Sequence, residues 1–176
     1  LSFIVRFTGH GRFFYSVGQH SINVAMLLWN RYRDPWLALQ GLFHDIHEAF
    51  VGDMSSPLKQ LLPDYKALER LVEHSVRTYF NLPGEFDARV HEADYMALST
   101  ERAVLFPRLP GESHPEKWRW LTPYGVDHFE VKEATFEGTR RAFLFLYEQL
   151  IELHAGSKSG YDVINVLDKP HRVFLK

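Results

Sequence analysis

The chain has 176 residues, no cysteine and a formal net charge of −2 at pH 7. This length fits a single domain, and the absence of cysteine excludes disulfides and thiolate metal ligands, which predicts a reducing, cytoplasmic location. The balanced charge argues against a nucleic-acid polymer as a partner, and no apolar run approaches the roughly 18 residues of a membrane span.

Two helices are predicted in the first third of the chain. Ser16 followed by Gln19 is a capping box, and apolar residues then recur with helical spacing to about Tyr32. The pair Asp34-Pro35 is an N-cap followed by proline at the first helical position. We expect this second helix to continue to about Phe50.

The rest of the chain also has mainly helical signals. The predicted order is a helical turn at 57–62, a helix from Asp64 with an apolar stripe to Tyr79, a helix at 85–106, a long loop at 107–129 and a helix at 131–155. A domain of 1–156 is followed by a tail of 157–176, whose weak alternation predicts a small hairpin. The sequence therefore predicts an all-α bundle of about six helices with a small C-terminal hairpin.

Polar side chains stand where three of these helices should face the core. His44, Asp45 and Glu48 share roughly one side of the predicted second helix, and His20 and Asp94 take inward positions on two others. Burying imidazoles and carboxylates together is costly unless they are paired or bind a metal. Two imidazoles with two carboxylates suit one divalent transition metal, either Mn, Co, Zn, Fe or Ni.

Each of these residues also has a purely structural explanation. A single buried histidine is usually a hydrogen-bonded core residue, a His-Asp dipeptide arises by chance, and Asp94 could form a salt bridge. Their joint occurrence on suitable helix faces favours the metal site. His47 is predicted to point away from the side shared by His44 and Glu48, so it receives no role. Five further histidines are predicted to be surface or structural residues: His74, His114, His128, His154 and His171.

The spacing of these residues resembles a known pattern. The order His, His-Asp, Asp is that of the HD superfamily of phosphohydrolases. The string from His44 to Asp53, followed by Ser56-Pro57-Leu58-Lys59, closely resembles the bacterial 5′-deoxynucleotidases and phage HD-domain dATP triphosphohydrolases. Arg6-Phe7, the stretch from Tyr15 to Ser21, and Glu92-Ala93-Asp94 match the same branch. The resemblance covers about residues 3–106.

The resemblance implies a role for individual residues of the chain. His20, His44, Asp45 and Asp94 would be the metal ligands. Glu48 would be the catalytic carboxylate that orients or deprotonates the attacking water.

The resemblance also implies a set of substrate contacts. Arg6 and Lys59 would clamp phosphate, and Asp53 would bind the 3′-hydroxyl of the sugar. Phe7 stands where the deoxynucleotidases carry a tryptophan that leaves no room for a 2′-hydroxyl.

The implied activity is metal-dependent hydrolysis of 2′-deoxynucleoside 5′-phosphates, with water attacking the α-phosphorus. The shared motif leaves open whether the substrate is a monophosphate or a triphosphate. Two other functions remain as alternatives: cleavage of cyclic nucleotides or other phosphodiesters, and nucleotide binding by a catalytically degenerate regulator. We also expect a homo-oligomer, in the cytoplasm of a bacterium or of a phage-infected host.

Overall fold

The structure is a computed structural model, and it describes residues 1–106, 121, 123–125 and 129–156. Within these ranges the chain forms a short 3-10 helix (Arg6–Gly9) and seven α-helices: α1 (Val17–Tyr32), α2 (Pro35–Phe43), α3 (Glu48–Val51), α4 (Ser56–Gln60), α5 (Pro63–Tyr79), α6 (Ala88–Leu105) and α7 (Phe136–His154). The same ranges contain no strand, only one antiparallel bridge between Val5 and Ser16. The predicted all-α class is confirmed. The predicted hairpin in the tail of 157–176 and most of the predicted loop at 107–129 lie outside the described residues.

Helix α1 lies at the centre of the bundle, because it packs against α2, α6 and α7. Its start is the predicted capping box, in which the Ser16 hydroxyl accepts from the backbone N–H of Gln19 and the Gln19 side chain accepts from that of Ser16. The shared core is built from almost wholly buried apolar side chains, among them Val24, Ala25, Leu28, Leu42, Ala97 and Leu150. The polar residues of α1 and α6 are therefore held at fixed positions against this core.

The second helix is shorter than predicted. Asp34 caps it as expected, but α2 ends at Phe43, and the expectation that it runs to Phe50 was wrong. From there the backbone tightens, with the amide of Ile46 bonding to the carbonyl of Phe43 at 3.0 Å in an i to i+3 pattern. The His44 side chain donates a hydrogen bond to the Gly41 carbonyl, which lies in the last turn of α2. His44 and Asp45 therefore lie in a turn between α2 and α3, not on one continuous helix.

Close approach of α1 and α2 depends on Gly41. A Cβ atom at this position would lie 2.5 Å from Leu28 Cδ1 and 3.4 Å from the backbone Cα of Ala25. Only a residue without a side chain fits between the two helices here. This crossing brings the polar residues of α1 next to the turn that follows α2.

The helix predicted from Asp64 to Tyr79 is confirmed as α5, but its apolar stripe is largely exposed. Helix α5 packs mainly against the two short helices α3 and α4. Val76 is its one buried residue, whereas Leu68, Leu71 and Tyr79 are exposed. The described part of the bundle therefore covers only part of the apolar face of α5.

None of the described helices combines the length and the apolar character that crossing a membrane needs.

We predict that Gly41→Val destabilises the protein by about 1–3 kcal/mol, because the new side chain forces α1 and α2 apart in a packed core. Urea denaturation followed by circular dichroism measures the loss. Gly84→Val is the matched control, since a Cβ atom there meets nothing within 4 Å. Equal stability of the two variants would contradict the role given to Gly41.

Candidate metal centre

Two imidazole rings meet where α1 and the α2–α3 turn come together. The Nε2 atoms of His20 and His44 are 3.2 Å apart, and both rings are buried. The Nδ1 atom of His20 donates to Glu101 Oε1 at 2.7 Å, and that of His44 donates to the Gly41 carbonyl at 2.7 Å. Because both acceptors need a hydrogen on Nδ1, each neutral ring directs an Nε2 lone pair toward the other. Two lone pairs this close require a cation between them.

Carboxylates complete this cluster. Asp94 from α6 places Oδ1 3.0 Å from Nε2 of His20 and 3.9 Å from Nε2 of His44. Asp45 places Oδ2 3.2 Å from Nε2 of His44 and 3.6 Å from Nε2 of His20. The structure thus brings together all four residues that the sequence identified as ligands.

His20, His44 and Asp94 form a group that could hold a metal ion. One ion with ligand bonds of roughly 2.0–2.2 Å can reach donor atoms spaced 3.0–3.9 Å apart, so the donor set fits. The raised pKa of His44 favours a proton at this place when no ion is bound. Burial lowers the pKa of His44, but the charge of Asp45, its hydrogen bond and the charge of Asp94 raise it to about 9.

Glu101 stands directly behind the imidazole of His20. This fully buried carboxylate accepts from His20 Nδ1 and from the Tyr15 hydroxyl at 2.9 Å. Its second oxygen, Oε2, lies 3.3 Å from Nε of Arg6, although the two atoms are not aligned for a hydrogen bond. A carboxylate on the far nitrogen of a ligating histidine fixes the ring and raises its basicity. Glu101 therefore positions His20 and holds a buried counter-charge for Arg6.

Arg6 lies at the edge of the same cluster. Its side chain is almost buried, with Nη1 3.5 Å from Asp45 Oδ2. Although burial lowers the pKa of the guanidinium, the charges of Glu101, Asp45 and Asp53 raise it, so it stays ionised. The contacts with Asp45 and Glu101 use Nη1 and Nε, so the second terminal nitrogen takes no part in these two ion pairs.

Glu48 is the first residue of α3 and is buried. Its Oε2 atom accepts no hydrogen bond from the described residues. Burial, followed by the nearby charges of Asp45 and Asp53, raises the pKa of this carboxyl to about 9. A buried acid with a free oxygen and a strongly raised pKa, next to a possible metal group, is a typical feature of catalytic sites.

Phe7 and Asp53 lie around Arg6 and Glu48. The guanidinium of Arg6 sits 5.1 Å from the centre of the Phe7 ring, which also packs edge-on against Phe106. Phe7 holds a left-handed backbone conformation with φ of 55°, which is costly for an aromatic residue. Asp53 follows Gly52 and acts on both Arg6 and Glu48 through its charge. The predicted sugar contacts are thus grouped near the metal cluster.

The Lys59 ammonium, which the resemblance assigns to phosphate, is already paired within the protein. It is paired with Glu69 of α5, and the same Glu69 oxygen lies 3.5 Å from Nε2 of His47. His47 is buried, with no hydrogen-bond partner for Nδ1 among the described residues. The expectation that His47 points away and has no role was derived from a continuous helix, and the turn at 44–47 instead directs it toward α5.

Glu101, Tyr15 and the pair His47–Glu69 were not identified from the sequence. Glu101 had a usable signal, because it lies seven residues after Asp94 and therefore on the same face of α6. The other contacts join residues far apart in the chain, and no local pattern indicates them.

Part of the chain is similar in sequence to a curated bacterial protein. No protein-family model matches the chain. Over 105 residues the chain is 40% identical to the Uncharacterized protein YfdR of Escherichia coli (strain K12). The match covers 60% of this chain and 56% of YfdR, so the chain spans little more than half the length of that relative. The name of that relative states no activity.

We predict that the ion-free protein loses stability as the pH rises from about 6.5 to 9. The folded-state pKa values of His44 and Glu48, both about 9, exceed the ordinary values of 6.5 and 4.5. Each group therefore holds its proton more tightly when folded. This contribution to stability is complete below the ordinary pKa and lost as the pH passes the folded-state value.

Thermal unfolding at several pH values, with chelator and with added Mn²⁺, measures this effect. Glu48→Gln should show a shallower loss than the wild type, and Mn²⁺ should flatten the curve by replacing the proton. Glu148→Gln, an exposed position on α7, is the matched control. A pH profile of Glu48→Gln identical to that of the wild type would rule out the assigned pKa shift.

We predict that Glu101→Gln keeps the fold but weakens metal binding by about 10- to 100-fold, because the amide can still accept from His20 but carries no charge. Titration calorimetry with Mn²⁺ or Co²⁺ gives the dissociation constant. Glu148→Gln should bind the ion like the wild type. Unchanged affinity in Glu101→Gln would show that this carboxylate does not support the ligand.

Proposed function

We propose that this protein is a metal-dependent phosphohydrolase that acts on 2′-deoxynucleoside 5′-phosphates. The observation that carries the proposal is the pair of opposed imidazole nitrogens, 3.2 Å apart, with carboxylates on both sides. The supporting sequence argument is the resemblance to HD-superfamily phosphohydrolases. On this proposal a divalent transition metal is held by His20, His44, Asp45 and Asp94.

A divalent ion at this site would supply Lewis acidity, which stabilises charge on a phosphoryl oxygen and makes water easier to deprotonate. Such help is needed because uncatalysed hydrolysis of phosphate monoesters is among the slowest reactions known. Asp45 has two tasks in this arrangement, since it faces both imidazoles and Arg6.

Glu48 is proposed to take the proton of the attacking water at Oε2. That atom is buried and has no hydrogen-bond partner among the described residues, so it is available to water in the cluster. In the ion-free protein the raised pKa keeps this carboxyl protonated at neutral pH, and the charge of a bound divalent ion would lower that pKa so that the ionised form can accept a proton. The Glu48 carboxylate is thereby suited to act as the general base for water that attacks the phosphorus atom.

Arg6 is proposed to bind the phosphate. A guanidinium that is held on one edge by Glu101 and Asp45 presents its other edge in a fixed direction, which suits the planar contacts of phosphate oxygens. Lys59 would contribute only after its ammonium moves away from Glu69, so we assign it the weaker role.

The sugar is proposed to lie between Phe7 and Asp53. A 2′-hydroxyl pressed against the Phe7 ring would lose its hydration without gaining a partner, at a cost of roughly 1–3 kcal/mol. The 3′-hydroxyl can donate to the Asp53 carboxylate. This arrangement would favour deoxyribose over ribose.

The proposed activity predicts the outcome of a substrate panel. The protein, stripped with chelator and reloaded with Mn²⁺ or Co²⁺, is incubated with dAMP, AMP, dATP, ATP and a cyclic nucleotide, and products are separated by ion-exchange chromatography. We expect hydrolysis of a deoxynucleotide only with metal, to a nucleoside and either phosphate or triphosphate. Activity in the metal-free sample, or activity on the cyclic nucleotide alone, would contradict the proposal.

Glu48→Gln should lose at least about 100-fold in kcat while it keeps metal, because only the basic charge is removed. Glu148→Gln serves as the control for protein quality. A kcat within about tenfold of the wild type, which corresponds to roughly 1.4 kcal/mol, would show that Glu48 is not the base.

A further inference from the structure

One carboxylate oxygen on α5 lies beside two nitrogen atoms that can donate to it. The Oε1 atom of Glu69 is 2.5 Å from Nζ of Lys59 and 3.5 Å from Nε2 of His47. The first distance is that of a short hydrogen bond, whereas the second is longer than a normal one. Glu69 therefore holds the Lys59 ammonium and has a second possible donor next to the same oxygen.

The imidazole of His47 is able to serve as that second donor. His47 is buried, and its Nδ1 atom has no hydrogen-bond partner among the described residues. A neutral imidazole carries one N–H group, and with the hydrogen on Nε2 the ring can donate to Glu69. The Glu69 side chain is only 13% exposed, and a poorly solvated carboxylate that loses its partner is costly. His47 therefore lowers the cost of taking Lys59 away from Glu69.

Glu69 is the fixed member of the ion pair, and Lys59 is the movable one. Tyr65 lies one turn before Glu69 on α5, and its hydroxyl donates to the Gly52 carbonyl at 3.1 Å. Farther along the same helix, Val76 is buried. Lysine, by contrast, ends in a compact charge on a flexible four-carbon chain. The Lys59 ammonium can therefore leave while the Glu69 carboxylate stays in place.

Lys59 also lies within electrostatic range of the proposed general base. Burial lowers the pKa of the Lys59 ammonium, but its hydrogen bond to Glu69 and the charges of Glu69 and Glu48 raise it. A phosphate group bound for attack by water at Glu48 would carry its negative charge close to Lys59. Such a phosphate attracts the same ammonium that Glu69 holds.

We propose that Glu69 is a positioning residue that competes with the substrate phosphate for Lys59, and that His47 donates to Glu69 when the ammonium moves to the phosphate. This role rests on the proposed function, because that function places a phosphate next to Glu48. Lys59 is available to phosphate only for the fraction of time that it spends away from Glu69. The apparent affinity for phosphate is reduced by that fraction. Glu69 thereby sets how tightly the phosphate binds without touching it.

Binding of inorganic phosphate tests this role without turnover. Titration calorimetry is run on the full chain, both as purified and after chelator treatment. Glu69→Gln should bind phosphate at least about fivefold more tightly than the wild type, because the amide no longer neutralises Lys59. His47→Leu should bind it at least about threefold more weakly, because Glu69 then has only Lys59 as its donor. Opposite changes from neighbouring residues, with unchanged circular dichroism, are not produced by a general loss of structure.

Glu73→Gln is the matched control. Glu73 lies one turn after Glu69 on α5 and is paired with Arg77. Its variant also loses an ion pair of this helix, but it should bind phosphate like the wild type.

A double-mutant cycle checks that the effect passes through Lys59. Lys59→Gln should bind phosphate at least about fivefold more weakly than the wild type, and Glu69→Gln should add no tightening in that background. In the metal-loaded protein, Glu69→Gln should lower the KM for a deoxynucleotide by more than it changes kcat.

A Glu69→Gln protein that binds phosphate no more tightly than the wild type overturns the proposal. Equal tightening in the Lys59→Gln background, or no phosphate binding by either the wild type or Glu69→Gln, overturns it as well. Wild-type affinity in His47→Leu would overturn the exchange with His47. The expected affinities in a protein that hydrolyses no deoxynucleotide would refute the proposed function alone. Deoxynucleotide hydrolysis with a phosphate affinity that Glu69 does not alter would refute the role of Glu69 alone.

Discussion

Two imidazole nitrogens 3.2 Å apart, each with its second nitrogen already bonded to an acceptor, impose the main constraint on this structure. Such a pair cannot persist with two facing lone pairs, so the cluster must hold either a proton or a metal ion. The same demand accounts for the carboxylates of Asp45 and Asp94 beside the rings. It also accounts for the buried charge of Glu101 behind one of them.

The bundle meets this constraint through one close helix crossing. Gly41 lets α1 and α2 approach, and its own carbonyl orients His44. One residue thus contributes to packing and to the direction of a candidate ligand. The tight turn after Phe43 then directs His44, Asp45 and His47 to places that a continuous helix would not allow. Packing and site geometry are therefore inseparable at this point of the fold.

Charge balance links the cluster to the proposed substrate contacts. Arg6 lies against two carboxylates, Glu101 and Asp45, and we propose that its remaining edge binds the phosphate. Glu48 is buried near negative charge, which raises its pKa to about 9 and makes it sensitive to any cation that enters. Lys59 is instead paired with Glu69 of α5. The Lys59 charge therefore stabilises the contact between α4 and α5.

The sequence by itself determined the helices and the four candidate ligands, because capping residues, helical periodicity and polar residues at core positions are local signals. It could not determine the end of α2, where the His44 side chain bonds to the Gly41 carbonyl and the backbone tightens after Phe43. It also missed Glu101 and His47, whose partners lie up to 86 residues away in the chain. Contacts between distant residues form only when helices pack, so the tertiary structure alone decided which charges meet and which apolar face remains open.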